Sequence, residues 1–145
     1  MTSKLKSVLL VGLQLACLVY LFLSGPWLAL PAWIWIEIIG LYLGAWAVCT
    51  MKLRNLRISP EVAPGARLVT GGPYRFIRHP MYSAVLLITL SLVFSRFTAA
   101  RLAVWATLLV VLHAKLQYEE TLLARRFKEY TAYQQRTKRL IPLVY

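Results

Sequence analysis

At 145 residues the chain is one domain by length, and 59% apolar residues with a mean hydropathy of +0.62 exclude a soluble domain of that size. The formal net charge of +12 would suit nucleic acid in a soluble protein. Here the lysines and arginines lie between and after long apolar runs, so they orient a membrane protein instead, and no nucleic-acid partner is expected.

Four apolar segments follow in chain order. The first runs from about Ser7 to Leu23 behind Lys4 and Lys6, a basic start that imitates a signal peptide. Ser24-Gly25-Pro26-Trp27 then reads as a turn rather than a cleavage site. The second runs from Ala32 to Met51 and opens with Trp33 and Trp35 as interfacial aromatics. The third spans roughly Met81 to Phe94 and the fourth Leu102 to Leu116. Both are short against the roughly 20 residues a crossing needs. They either extend through their polar ends or form a hairpin that does not cross completely. The pattern as a whole predicts an all-α integral membrane protein with about four transmembrane helices.

Single residues inside these runs carry their own expectations. Glu37 is ionisable within the second span, so it is either functional or hydrogen-bonded within the bundle, with His113 and Gln117 as candidate partners. His113, one turn before Gln117, reads as a core polar group. Gly40 and Gly44 form a GxxxG pair that predicts close helix packing within the protomer. Cys17 and Cys49 sit in apolar runs without metal-ligand spacing, which predicts plain buried thiols and no metal.

Charge sets the topology. Lys52, Arg54, Arg57, Arg67, Arg75 and Arg78 fill the middle linker, and Arg125, Arg126, Lys128, Arg136, Lys138 and Arg139 crowd the tail. Only Arg96 and Arg101 flank the turn between the last two segments. With four spans, both termini and the middle linker are expected on the cytoplasmic side of an inner (plasma) membrane.

Two polar stretches stand against this apolar background. In "GGPYRFIRHPMY" two glycines, two prolines and three basic residues crowd the mouth of the third span. In "HAKLQYEETLLARRFKEY" helical periodicity runs from the fourth span through Glu119 and Glu120 to about Tyr133. The chain has only five acidic residues, yet two are adjacent where this helix leaves the bilayer. Paired carboxylates need a cation nearby. Lys115, four residues earlier on the same face, supplies one. The pair is then either a lysine-glutamate contact plus a solvated acid, or a site for a bound cation such as a sulfonium or an amino group.

Taken together, "LVTGGPYRFIRHPMY", a hydrophobic hairpin and then "EETLL", Phe127, Tyr130, Tyr133 and "IP" resemble the isoprenylcysteine carboxyl methyltransferase family. The related phospholipid methyltransferases look similar in the same region. The resemblance covers about Arg67 to Pro142. It implies a helical membrane enzyme using S-adenosylmethionine, with a cytoplasmic cofactor pocket formed by the middle linker and the C-terminal helix. The domain is then single, residues 1–145, with an N-terminal helical hairpin (1–58) and a cofactor-binding and catalytic part (59–145).

Carried over by position, the resemblance places Arg67, Leu68, Val69, Tyr74, His79, Pro80, Met81 and Tyr82 at the cofactor. Glu119 becomes its acidic contact and Glu120 a supporting one. Lys115 stands where the prenylcysteine enzymes have an arginine toward the acceptor, and Arg78 is a second candidate there. The implied reaction is O-methylation of an isoprenylcysteine-like carboxylate, the acceptor being a lipophilic or prenylated molecule reached through membrane lipid. The alternatives are methylation of a phospholipid or other lipid, or a non-catalytic membrane protein that keeps the fold to bind a lipid or a partner. The residue chemistry is compatible: Gly71 and Gly72 allow close backbone approach, and Tyr74 and Tyr82 offer flat faces with a hydroxyl.

Overall fold

The architecture comes from a computed structural model, which describes residues 3–51 and 68–141. Five α-helices follow one another: α1 (Ser3–Leu23), α2 (Ile34–Met51), α3 (Pro80–Ser95), α4 (Ala99–Arg126) and α5 (Tyr130–Arg136). A 3₁₀ turn, Gly72–Arg75, precedes α3. Among the described residues there is no strand, only a parallel bridge between Ile77 and Lys138.

α1, α2 and α4 are each long and apolar enough to cross a membrane, whereas α3 has 16 residues. At about 1.5 Å per residue α3 reaches only about 24 Å, against a hydrocarbon core of about 30 Å. The fourth apolar segment proves to be the middle of a 28-residue helix, so its shortness in the sequence was only apparent. That helix does not continue to Tyr133: it stops at Arg126, and Phe127 to Glu129 turn the chain into the separate α5.

α1 lies against α4, and α2 against α3 and the 3₁₀ turn. The first two helices thus each pack on the second half of the chain more than on each other. Contacts at both ends fix an up-down-up-down order. Leu30 N donates to Ser95 Oγ at 2.9 Å, linking the start of α2 to the end of α3. Lys115 Nζ reaches Gln14 Oε1 at 2.9 Å, and Arg101 reaches Leu21 O at 2.9 Å, so α1 and α4 are antiparallel.

In lipid, apolar burial adds little drive between helices, and association depends on close packing and polar ties. Both are present. A Cβ on Gly40 would lie 2.8 Å from Ile88 Cγ1 and 3.1 Å from Ala84 O, and one on Gly44 3.3 Å from Ala84 Cβ. The GxxxG pair therefore lets α2 settle onto α3 within one protomer. The core proper joins Cys17 and Leu21 of α1 to Leu86 and Val93 of α3 and Leu108, Leu112 and Leu116 of α4. Cys17 is buried as expected, but Cys49 is exposed.

The end of the bundle holding the α1–α2 and α3–α4 turns is stitched by polar groups. Glu37 accepts from Ala29 N at 2.7 Å, and His113 pairs instead with Gln117 at 2.8 Å. Glu37 is thus a clamp on the α1–α2 turn, far along the bundle from the residues proposed as its partners. Trp33 stacks on Phe94 with ring centroids 4.8 Å apart. Arg101, expected at the rim of a turn, is instead 1% exposed and threads between α1 and α3.

Candidate functional site

The opposite end of the bundle gathers the two polar stretches. α3 begins there because Pro80 fixes the first helical φ and needs no backbone partner. His79 occupies the N-cap position, but its ring makes no cap hydrogen bond and is free to face α4. α4 is long enough to bring Glu119 and Glu120 to the same level. At about 1.5 Å per residue, Arg101 and Glu119 are about 27 Å apart along the helix, close to the thickness of the hydrocarbon core.

The tail closes the site from outside. Arg78 N donates to Lys138 O at 2.7 Å, His79 N to Arg139 O at 3.0 Å, and Lys138 N to Phe76 O at 3.1 Å. Ser83 Oγ adds a bond to Leu140 O at 2.6 Å. The segment after α5 is therefore a strap across the mouth of α3, and it places α5 beside α4.

The two adjacent glutamates have different surroundings. Glu120 is the hub of a cationic cluster: Arg78 Nε lies 2.7 Å from Oε1, His79 Nε2 3.3 Å from Oε1, and Arg139 Nε 3.2 Å from Oε2. Gln134 Nε2 approaches Oε2 at 3.4 Å. Arg78 continues through Nη1 to Gln134 O at 3.0 Å and to Thr137 O, tying α4 to α5. Its guanidinium, 8% exposed, is thus engaged in structure rather than turned toward an acceptor.

Glu119 is engaged more lightly. Tyr82 Oη donates to its Oε1 at 2.5 Å, and His79 Nδ1 stands 3.6 Å from Oε2. His79 and Tyr82 lie nearly parallel, ring centroids 5.4 Å apart and 6° between planes. The imidazole therefore sits between the carboxylates, one nitrogen toward each. Lys115, 2% exposed, has its Nζ 5.3 Å from the centre of the Tyr82 ring.

The remaining sequence-predicted residues spread around this centre. Tyr74 is buried in the 3₁₀ turn; its hydroxyl donates to Met51 Sδ at 3.7 Å and its carbonyl accepts from Tyr133 Oη at 2.6 Å. Burial raises its phenol pKa, so it remains neutral. Gly72 has φ +58°, and a Cβ there would collide with Thr50. The close approach it permits is to α2, while Gly71 meets nothing within 4 Å. Pro80 is buried, Met81 half-buried in the first turn of α3, and Leu68 and Val69 half-buried ahead of the 3₁₀ turn. Arg67 lies outside the described residues.

The sequence reading left some contributors without a role. Tyr133 holds the 3₁₀ turn, and burial, opposed by the nearby Arg78 charge, pushes its phenol up to about 12. Tyr130, 1% exposed, has a buried hydroxyl without a hydrogen-bond partner among the described residues. Both belong to "EYTAYQQ", where aromatic spacing on a short helix was the available signal. Gln14, which binds Lys115, was missed although it is a lone amide amid "LLVGLQLACLV".

This end of a bundle of apolar helices thus carries a carboxylate flanked by a phenol and an imidazole, with a second carboxylate tied to arginines beside it. A family model described as phospholipid methyltransferase matches residues 13–130, from within α1 to the start of α5. The chain belongs to that family. As a member it is a membrane methyltransferase, and the matched range contains Tyr74, His79, Tyr82, Lys115 and both glutamates. No curated protein matches the chain.

Proposed function

We propose that the protein transfers a methyl group from S-adenosylmethionine to the carboxylate of an isoprenylcysteine-like lipophilic acceptor, at the cytoplasmic face of its membrane. The observation that carries this is the contrast between the glutamates. Glu120 is consumed by Arg78, His79 and Arg139, whereas no arginine or lysine is ion-paired with Glu119 among the described residues. A carboxylate bordered by Tyr82 and His79 suits a cationic ligand with an aromatic portion, and the orphan hydroxyl of Tyr130 offers another polar contact nearby. The donor set therefore fits S-adenosylmethionine.

When bound, S-adenosylmethionine supplies a methyl group already activated by a sulfonium. An ionised carboxylate needs no base to attack it, so the protein's work is alignment and exclusion of water. Glu119 would hold the positive charge, with its orientation set by Tyr82 Oη and His79. The strap formed by residues 138–140 would limit water at the mouth of α3. Lys115 would attract the acceptor's carboxylate from the side of α4 facing α1. The acceptor would approach laterally from lipid, since its chain gains nothing by leaving the bilayer.

The family's description, phospholipid methyltransferase, is also compatible with a second reading, a phospholipid amine as acceptor. That reaction has to lose a proton from nitrogen, and Glu119 is the nearest carboxylate to do the accepting. The test is calorimetric titration of the detergent-solubilised chain with S-adenosylmethionine, then methyl transfer to prenylcysteine, fatty-acid and phospholipid acceptors. Absence of saturable binding by folded protein overturns the reading.

Two variants refine it. Glu119→Gln keeps the shape and removes a charge worth roughly 1.5–3 kcal/mol in a partly dry site, so S-adenosylmethionine affinity should fall about tenfold to a hundredfold. Unchanged affinity would make the acid structural. Lys115→Ala should raise the KM for a carboxylate acceptor and leave the Kd for S-adenosylmethionine within about twofold, because the lost contact belongs to the second substrate. Normal acceptor kinetics would remove Lys115 from that role.

A further inference from the structure

Lys115 is an anomaly among the buried cations of this protein. Arg78 has Glu120, and Arg101 has the carbonyls of Leu21 and Leu92. Lys115 is 2% exposed, belongs to no ion pair among the described residues, and donates to a neutral amide, Gln14 Oε1. Glu119, one turn further along α4, accepts from Tyr82 Oη instead. A buried ammonium without a compensating anion is costly in a medium of low dielectric. Glu119 and Lys115 attract each other at longer range, but among the described residues no carboxylate lies within ion-pairing distance of Nζ, so an anion from outside would complete the charge balance.

The hydrogen bond also fixes the amide. A lysine amino group has donors and no acceptor, so Gln14 must turn its oxygen toward Lys115 and its NH2 group away. That NH2 makes no hydrogen bond among the described residues. Nζ keeps further N–H groups beyond the one given to Gln14. Two neighbouring side chains on different helices thus present donors only. Gln14 is half-buried on the α1 stripe that runs through Ser7, Cys17 and Leu21 onto α4, while Leu13 and Leu15 beside it are 47% and 48% exposed on the lipid side.

We infer that Gln14 and Lys115 form a two-donor cradle for a carboxylate at the seam of α1 and α4, and that Gln14 is a specificity-determining residue selecting acidic over neutral acceptors. The inference rests on the methyltransferase reading and assigns to it a residue from α1. The amide holds Lys115 in place and offers its own N–H to the second carboxylate oxygen. An ester or a zwitterionic head that presents no free carboxylate finds no acceptor for itself among these groups. Phosphate oxygens of an anionic lipid share the same chemistry and are distinguished below.

The experiment uses the full chain in neutral detergent with saturating S-adenosylhomocysteine. Binding of N-acetyl-S-farnesylcysteine is compared with binding of its methyl ester, in wild type, Gln14→Met and Gln14→Glu. Methionine keeps the length and suits an apolar helix, so it protects against loss of folding. Wild type should prefer the acid by about tenfold or more, the scale of one charge-assisted contact. Gln14→Met should lose most of that preference. Gln14→Glu should abolish it, since the new carboxylate occupies Lys115. Equal binding of acid and ester by wild type, or an undiminished preference in Gln14→Glu, overturns the inference. So does displacement of the acid by phosphatidylglycerol at equal concentration, which would make the cradle a lipid-phosphate site. Titration with S-adenosylhomocysteine alone separates the two readings. An acid preference in protein that binds no S-adenosylhomocysteine would remove the proposed S-adenosylmethionine-dependent reaction and leave the cradle standing.

Discussion

Glu120→Ala should destabilise the folded protein by about 3–5 kcal/mol, the usual cost of removing one member of a buried ion pair. Alanine leaves the Arg78 guanidinium, 8% exposed, without its 2.7 Å carboxylate partner. Arg139 adds less, being 32% exposed and screened by water. The damage should spread through Arg78 to its bonds with Gln134 O and Thr137 O, which hold α5. The expected result is a large drop in thermal midpoint in detergent, with faster protease cleavage after Arg136 and Lys138. Glu119→Gln is the control, because its carboxylate is not tied to any arginine among the described residues. Two adjacent glutamates should therefore separate into one that mainly holds the fold and one that mainly holds a ligand. Equal loss of stability in both variants would contradict the division.

That division was not legible in the sequence. "EE" at the end of an apolar helix announces a cation nearby, but which acid meets which cation depends on rotation about α4 and on where the tail returns. The tail returns by backbone pairing of Phe76, Arg78 and His79 with Lys138 and Arg139, which side-chain patterns do not encode. The broken helix is a similar case. Phe127-Lys128-Glu129 contains no glycine or proline, so local propensity carries the helix onward. The turn is imposed by docking, with Arg78 anchoring α5 from outside it. Where local chemistry dominates, the sequence was sufficient. Pro80 opens α3, and the paired glycines mark where α2 meets α3. The long apolar runs identify α1 and α2 nearly to their ends. Glu37 lies between, because an intramembrane acid is conspicuous while its partner, a backbone N–H in the preceding turn, carries no signature.

Arg101→Leu should have the second large effect, about 27 Å from Glu119 along α4. A cation in the first turn of a helix opposes the macrodipole, so Arg101 gains nothing from its own helix. It reaches the ends of two others. Nη1 donates to Leu21 O at 2.9 Å and to Ser24 Oγ at 2.6 Å, and Nη2 to Leu92 O at 2.9 Å. Leu21 and Leu92 lie in the last turns of α1 and α3, where carbonyls carry negative partial charge, and Leu92 O also accepts a long bond from Arg96 N at 3.4 Å. Gly25 makes room, since a Cβ there would overlap the guanidinium. Bonds from a charged donor contribute roughly 1.5–3 kcal/mol each. Against them stands the cost of an arginine inside the bilayer, roughly 2.5–3.5 kcal/mol on insertion scales, which leucine relieves. The bonds win, and the net loss should be about 2–4 kcal/mol. Arg101→Lys should lose less, because an ammonium keeps the charge but cannot span two helix ends with a planar fork. The measurement is thermal unfolding in detergent for both variants, with S-adenosylmethionine affinity determined well below the midpoint. A lowered midpoint with retained affinity assigns Arg101 to the join between α1, α3 and α4. An unchanged midpoint would mean that lipid or water satisfies those carbonyls as well as the guanidinium does.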